Sequence, residues 1–215
     1  MSPAGPRLRL GRIGAWLNPV YGDDARTDLV IQAESLGYPT AWLGFGRASA
    51  LRDQLDAGGV PPDRRILAAL GPRALRLAAD RTLGTHPYLV VPDHTRAARQ
   101  MAGPGAVIAP EHKVVLDTDP DRARAVGRAF VSDPYLKLSN YTSNLRRYGY
   151  TEADIDGGGS DRLIDALVLH GSPDIIATGL RSHLDAGADH VAIQALTANG
   201  NDPTPAYRQL ARLLL

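Results

Sequence analysis

Gly171-Ser172-Pro173-Asp174, a helical run to Ala186, and then Gly187-Ala188-Asp189-His190-Val191-Ala192-Ile193-Gln194-Ala195-Leu196 form the stretch whose reading decides the fold. Ser172 is a residue type that accepts hydrogen bonds from the orphan amides of a first helical turn, and Pro173 falls where its missing N–H costs nothing. Ile176, Leu180 and Leu184 recur every four residues and make one apolar stripe. Gly187 supplies a left-handed stop. The run from His190 to Leu196 is short and apolar, the pattern of a strand buried on both faces of a parallel sheet. The spacing predicts a helix that feeds a core strand across a tight turn, one α/β unit.

The same grammar recurs upstream. Leu8 to Trp16 reads as a first strand closed by Asn18-Pro19, Asp23 to Leu36 as a helix, and Ala41 to Phe45 as a second strand. That is β-α-β, the unit that forces a right-handed parallel crossover. Ile66 to Leu70, His86 to Val91 and Val107 to Leu116 read as further strands, the last interrupted by Pro110. Helices are predicted over Arg73 to Arg81, Asp93 to Met101 and Pro120 to Phe130, the third announced by Thr118-Asp119-Pro120-Asp121. Residues 131–159 form a long excursion around a short helix, Leu138 to Tyr148. Ser160-Asp161 starts a helix whose Leu163, Ile164, Leu167 and Val168 face the core, and a last helix covers Pro205 to Leu214. Residues 1–7 read as a loose tail and 8–215 as one domain. Between Gly46 and Arg65 only a short helical piece, Ser49 to Ala57, and a Gly/Pro turn fit, too little for a strand–helix–strand crossover.

The 215 residues suffice for one domain with a substantial core. Lys and Arg number 24 against 23 Asp and Glu, which gives no electrostatic reason to expect nucleic acid or an anionic membrane surface. With no cysteine, disulfides, thiolate catalysis and zinc–thiolate sites are excluded. The basic start from Met1 to Arg9 lacks the apolar core of a secretory signal, and no stretch approaches the roughly 18 apolar residues of a membrane helix. The expectation is a cytoplasmic protein. No Walker-type loop, complete Gly-x-Gly-x-x-Gly or Gly-x-Ser-x-Gly elbow occurs, and Gly44-Phe45-Gly46 is a lone fragment.

The closing unit, with its small-residue–Pro helix start and Ala-Gly-Ala-Asp-His before a β-run, resembles the final unit of the luciferase-like flavin or deazaflavin monooxygenase family. Ile66-Leu67-Ala68-Ala69-Leu70-Gly71-Pro72 is similar to that family's fifth strand and turn. Gly84-Thr85-His86-Pro87-Tyr88 with Pro92-Asp93-His94-Thr95 resembles the sixth unit, and Lys113-Val114-Val115-Leu116-Asp117-Thr118-Asp119-Pro120 the seventh. The motifs fall in family order over roughly residues 8–46 and 64–215, closest to the actinobacterial branch of F420-dependent oxidoreductases. The resemblance implies a (β/α) barrel of the bacterial luciferase-like type, which when complete needs about 250 residues. It also implies an internal deletion of the third and fourth strand units near 46–65, so that the expected fold is α/β, a shortened or incomplete TIM-like barrel of about six parallel strands. Such a gap exposes strand edges, and a homodimer that covers the open edge is expected.

A phosphate-bearing cofactor belongs at the carboxyl ends of parallel strands, where backbone amides and helix N-termini converge. Ala69, Leu70, Gly71 and Pro72 make such a turn, and the resemblance places the cofactor tail beside it; the plain alternative is a βα turn that needs glycine for its dihedral. His86 falls where the family's sixth strand ends, with Tyr88 on the same face. It is the candidate to hydrogen-bond a cofactor carbonyl or act as a proton donor, or else a histidine satisfied by nearby backbone. Gln194, near the top of the last strand, is a candidate contact to a ring or substrate carbonyl, or else a polar residue in a barrel mouth. Trp16, with Asn18, floors or rims the pocket or simply packs in the core. Arg146 and Arg147 form a basic run suited to a phosphate or polyglutamate tail, or a solvated helix face. Metal ligation by His86, His94 and His112 has no supporting spacing. The cofactor implied by the resemblance is coenzyme F420, with FMN as the alternative, and the reaction hydride transfer with a small organic substrate. The rival reading is an inactive, shortened barrel that binds cofactor or serves as an interaction protein.

Overall fold

In a computed structural model, the structure describes residues 10–17, 32–43 and 65–215. Eight strands are defined among them: β1 (Ile13–Leu17), β2 (Ala41–Leu43), β3 (Ile66–Leu67), β4 (Gly84–Thr85), β5 (Val107–Ile108), β6 (Glu111–Val115), β7 (Val168–His170) and β8 (Val191–Ala195). The helices are α1 (Pro72–Arg81), α2 (Pro92–Ala102), α3 (Pro120–Ser132), α4 (Ser139–Arg147), α5 (Glu152–Ile155), α6 (Asp161–Leu167), α7 (Pro173–Asp185) and α8 (Thr204–Leu214). One further helical turn covers 32–35.

Every strand pairing is parallel. The order is β2-β1-β8-β6-β7 in one sheet and β3-β4-β5 in the other. Pro110 explains the division, because it removes a ladder donor from what is otherwise one strand over 107–115. Hydrogen bonds run through the break. The amides of Ala109 and Glu111 bond to the carbonyls of Thr85 and Pro87 on one edge, while Ile108, Pro110 and Val114 accept from Asp189, Ala192 and Leu196 on the other. The two sheets are thus one curved wall, β2-β1-β8-β5/β6-β4-β3, six strands wide when β5 and β6 count once. Strand β7 takes the edge of β6 just above the place where β4 leaves it, and Gly171 extends the contact to the Val115 carbonyl. This wall is the expected α/β fold, a curved sheet of parallel strands of the TIM-like kind. The segment expected to replace two strand units lies outside the described residues, as do the helical residues before 32 and the piece over Ser49 to Ala57.

Three apolar clusters hold the wall. Ile13, Ala15, Val114, Val191 and Ile193 point outward onto Ile176 and Leu180 of α7 and Leu210 of α8. The outer faces of β3 and β5 bury Ala69 and Ile108 against Leu75 and Ala78 of α1 and Ala98 of α2. The third cluster lies at the carboxyl ends of the strands, where Leu89, Val115 and Leu196 meet Val131 and Leu145 of the excursion and Leu163 and Leu167 of α6. The excursion therefore roofs part of the barrel mouth.

The motif of the closing unit is explained residue by residue. Ser172 caps α7 by accepting from the Ile175 amide at 3.4 Å, and Gly187 leaves the helix at φ +102°, where a side chain would be strained. Asp189 accepts from the Ile108 amide at 2.8 Å and from Arg99, which locks β8 beside β5. Two expectations are corrected. The strand predicted over His86 to Val91 ends at Thr85, because Pro87 cannot donate and Leu89 turns the chain at φ +57°. Val168, read as the last core residue of a helix, instead opens β7.

Candidate functional site in the barrel mouth

Strand alternation divides the wall into two faces. Val114 and Ile193 pack outward, so their neighbours Glu111, Lys113 and Gln194 face the interior. There Lys113 Nζ lies 3.0 and 2.8 Å from the two carboxylate oxygens of Glu111, and both side chains are fully buried. Burial raises the Glu111 carboxyl and lowers the Lys113 ammonium, each opposed by the charge of the other. The same ammonium sits 3.7 Å from the centre of the Tyr88 ring, with Phe130 and Tyr135 beyond it. The Leu89 amide adds a bond to Glu111 at 3.3 Å.

Above the pair runs a chain of hydroxyls. Tyr135 donates to Tyr88 at 3.2 Å, and Tyr88 donates to Gln194 Oε1 at 2.9 Å. Burial, with the Glu111 charge, holds the Tyr88 phenol far above its ordinary value, so it stays a donor. Gln194 is 2% exposed, and its Nε2 has no hydrogen-bond partner among the described residues. An amide that has given its oxygen to Tyr88 keeps two N–H donors, here on the inner face of the wall and without a partner among the described residues.

The predicted residues separate into two levels. Register carries Trp16 one step past the Ala15–Ile193 pair, level with Gln194, and its backbone also pairs with Trp42; the Trp16 side chain lies outside the described residues, as does Asn18. His86 follows Thr85, which pairs with Ile108, and so lies level with Ala109. Lys113, paired with Gln194, stands four residues higher, about 13 Å along the strand at ~3.3 Å per residue. Thus His86 belongs to the deep layer, and Tyr88, two residues on, spans the interval to Gln194. The Nδ1 of His86 lies 2.6 Å from the Ala109 carbonyl, and burial lowers its pKa to about 4. A neutral ring that donates from Nδ1 to a carbonyl presents its other nitrogen as an acceptor, not as a proton donor.

The turn after β3 lies at another part of the rim. Ala69 is buried on the outer side against α1 and α2. The Leu70 carbonyl accepts from His94 Nε2 at 2.9 Å, which ties the turn to α2. Gly71 is the N-cap of α1 with φ −83°, so no dihedral demands glycine there, and Pro72 begins the helix. A Cβ on Gly71 would meet only Arg147 Nη1, at 3.9 Å. No side chain caps the helix start, and no acid lies in its first turn. The helix end, the open glycine and the guanidinium together can accept a phosphate. Arg146, by contrast, is held by Glu152 at 2.6 and 2.9 Å.

Sequence reasoning missed the Glu111–Lys113 pair. The signal was present in Glu111-His112-Lys113, an i, i+2 acid–base pair on one face of the strand predicted over Val107 to Leu116. No group of three or more metal-ligating side chains occurs among the described residues. No described helix is long and apolar enough to cross a membrane.

Wall and roof define a parallel α/β barrel-type fold with a polar candidate site at the strand ends. The chain is similar to coenzyme F420 dependent tetrahydromethanopterin reductase from Methanopyrus kandleri, with a TM-score of 0.55 and 18% identity over 92% of this chain and 72% of that one. It is also similar to an F420-dependent secondary alcohol dehydrogenase in complex with an F420-acetone adduct, with a TM-score of 0.51 and 11% identity over 70% of this chain. It spans about half, 48%, of that dehydrogenase. At these identities the likeness is one of fold. No family model matches the chain, and no curated protein matches it.

Proposed function

We propose that this chain is an F420-dependent oxidoreductase of the luciferase-like type, with FMN as the alternative cofactor. The observation that carries the reading is the buried Gln194 amide, whose donors lack a partner among the described residues at the level of Trp16. A deazaflavin ring carries carbonyls that such an amide can bind, and when bound it supplies hydride transfer. Tyr88 orients the amide, while the Glu111–Lys113 pair beneath keeps the mouth polar without net charge. At the rim, Gly71 and the start of α1, with Pro72, Leu70 and Ala69 shaping the turn, hold the phosphate-bearing tail, and Arg147 meets its charge. His86, neutral and bonded to the Ala109 carbonyl in the deep layer, positions the segment that carries Tyr88. Two strand units of the full barrel are missing between β2 and β3, and a second copy of the chain covers the open edge.

The test is a titration of purified protein with oxidised F420 and, separately, with FMN, followed by the fluorescence of each. Saturable binding of F420 in preference to FMN supports the reading. Binding of neither sinks it and leaves an inactive or interaction protein.

A further inference from the structure

Helix α4 carries Tyr141, Asn144, Leu145 and Tyr148 along one face, and that face lies on the barrel mouth. The Tyr141 ring centre stands 6.5 Å from that of Tyr88, and the Tyr148 ring centre 5.5 Å from that of His94. Leu145 is buried in the third cluster with Leu89 and Leu196. These contacts are aromatic and apolar. Among the described residues, no hydrogen bond or ion pair joins Ser139–Arg147 to a strand, to α1 or to α2. The side-chain bonds of this helix stay within the excursion, with the Arg146–Glu152 pair on its exposed side.

The seam also buries one polar atom on each side that has no partner among the described residues. On the wall it is Gln194 Nε2 and on the helix Asn144 Oδ1, and each of these residues is 2% exposed. The closed contact leaves a donor and an acceptor dry, which works against the burial of Leu145 and the rings. Lifting α4 would hydrate both atoms and break no hydrogen bond or ion pair to the wall. The parts of the excursion on either side are pinned. Tyr135 donates to Tyr88 at 3.2 Å, Arg128 to the Gly159 carbonyl at 3.0 Å, and Arg162 to Asp154 at 2.9 Å. Between these anchors α4 is bounded by Leu138, in extended conformation, and by the exposed Gly149 at φ +84°. Such positions at the ends of an element absorb a hinge motion.

We propose that α4 is a gate over the barrel mouth. It pivots as a rigid helix on Leu138 and Gly149, and its lifted state uncovers Gln194. With the gate closed the Gln194 Nε2 is shut off from solvent, so a small molecule reaches that amide through the open state. The gate is a property of the chain and does not depend on the ligand being a deazaflavin.

The chain contains no cysteine, so one introduced thiol reports alone. Asn144→Cys and Gln194→Cys place a thiol on either side of the seam, and Ala98→Cys places a control thiol in the fully buried cluster between α1 and α2. Alkylation by iodoacetamide is followed by mass spectrometry with no cofactor present, so its outcome is read apart from the F420 titration. The thiols at 144 and 194 should react at comparable rates, at least about tenfold faster than the thiol at 98, and dilute urea should accelerate them less. Should Gln194→Cys fail to fold, Leu196→Cys, two residues on and beneath the same helix, reads the same opening. Equal rates at all three positions would overturn the proposal, as would a fast thiol on one side of the seam with a slow one on the other.

Discussion

The Tyr88 hydroxyl donates to Gln194 Oε1 across 2.9 Å and joins two side chains 106 positions apart, one just past β4 and one on the last strand. Tyr88→Phe leaves that oxygen buried without its donor, at a cost of about 1–3 kcal/mol in urea denaturation. Gln194→Leu removes the acceptor. Combined, the two substitutions should cost less than their sum by at least about 0.5 kcal/mol. Strict additivity would show that the bond does not couple the two elements.

The buried ion pair is weak evidence for stability and strong evidence for mutual dependence. Glu111→Gln strips Lys113 of its counterion inside the wall and should cost about 3–5 kcal/mol, as should Lys113→Met. Replacing both by apolar residues, Glu111→Leu with Lys113→Met, should restore most of that loss. Denaturation midpoints decide the matter: a double variant as unstable as either single one would mean that the pair holds the interior together by more than charge balance.

Two glycines should behave in opposite ways. At Gly84 a Cβ would stand 2.0 Å from the Val107 carbonyl oxygen and 2.6 Å from its nitrogen, both backbone, so nothing can yield. Gly84→Ala should destabilise by about 3 kcal/mol. At Gly71 the backbone is ordinary and the space open. Gly71→Val should cost no more than about 1 kcal/mol of stability yet weaken F420 binding. Thermal melts and cofactor titration on the same preparations separate the two effects, and an unchanged cofactor affinity would remove this turn from the site.

How much of this could be read from the residues depends on range. The closing unit was legible because its signals are local: Ser172 caps, Gly187 stops, and Ile176 and Leu180 mark the buried stripe. Asp119 likewise announced α3, and its side chain accepts from the Asp121 and Arg122 amides. Strand β7 escaped notice because Val168 and Leu169 continue a helical period and become strand only by pairing with β6. At the site, Gln194 and Tyr88 were singled out separately, but their contact depends on register across the wall. His86 and Gln194 were read as separate candidates, and only the register of β5 with β4 and of β6 with β8 shows that they lie at different depths. The buried contacts of His183 with His112 and with Thr95 were hidden for the same reason, since those residues lie 71 and 88 positions from it.

Stability should depend on pH through the buried rings. Burial is the chief cause that lowers His86 and His183 from 6.5 to about 4. Above pH 6.5 these rings are neutral whether the chain is folded or not, and they contribute nothing. Between 6.5 and about 4 the unfolded chain takes up protons that the folded chain refuses, so stability falls as pH falls, by up to about 3 kcal/mol per ring. Urea midpoints between about pH 7 and pH 5 read this window above most carboxylate titration. A midpoint that is flat or rises toward acid would contradict the burial of these groups.

The central claim is that a deazaflavin ring sits in the mouth at the level shared by Gln194 and Trp16. The chain has two tryptophans, Trp16 and Trp42, and Trp42→Phe leaves Trp16 as the sole emitter. Titration of that variant with oxidised F420 should quench the Trp16 emission saturably, and adding Gln194→Leu should weaken the binding by about tenfold. Emission that stays constant while F420 binds would place the ring elsewhere and contradict the account.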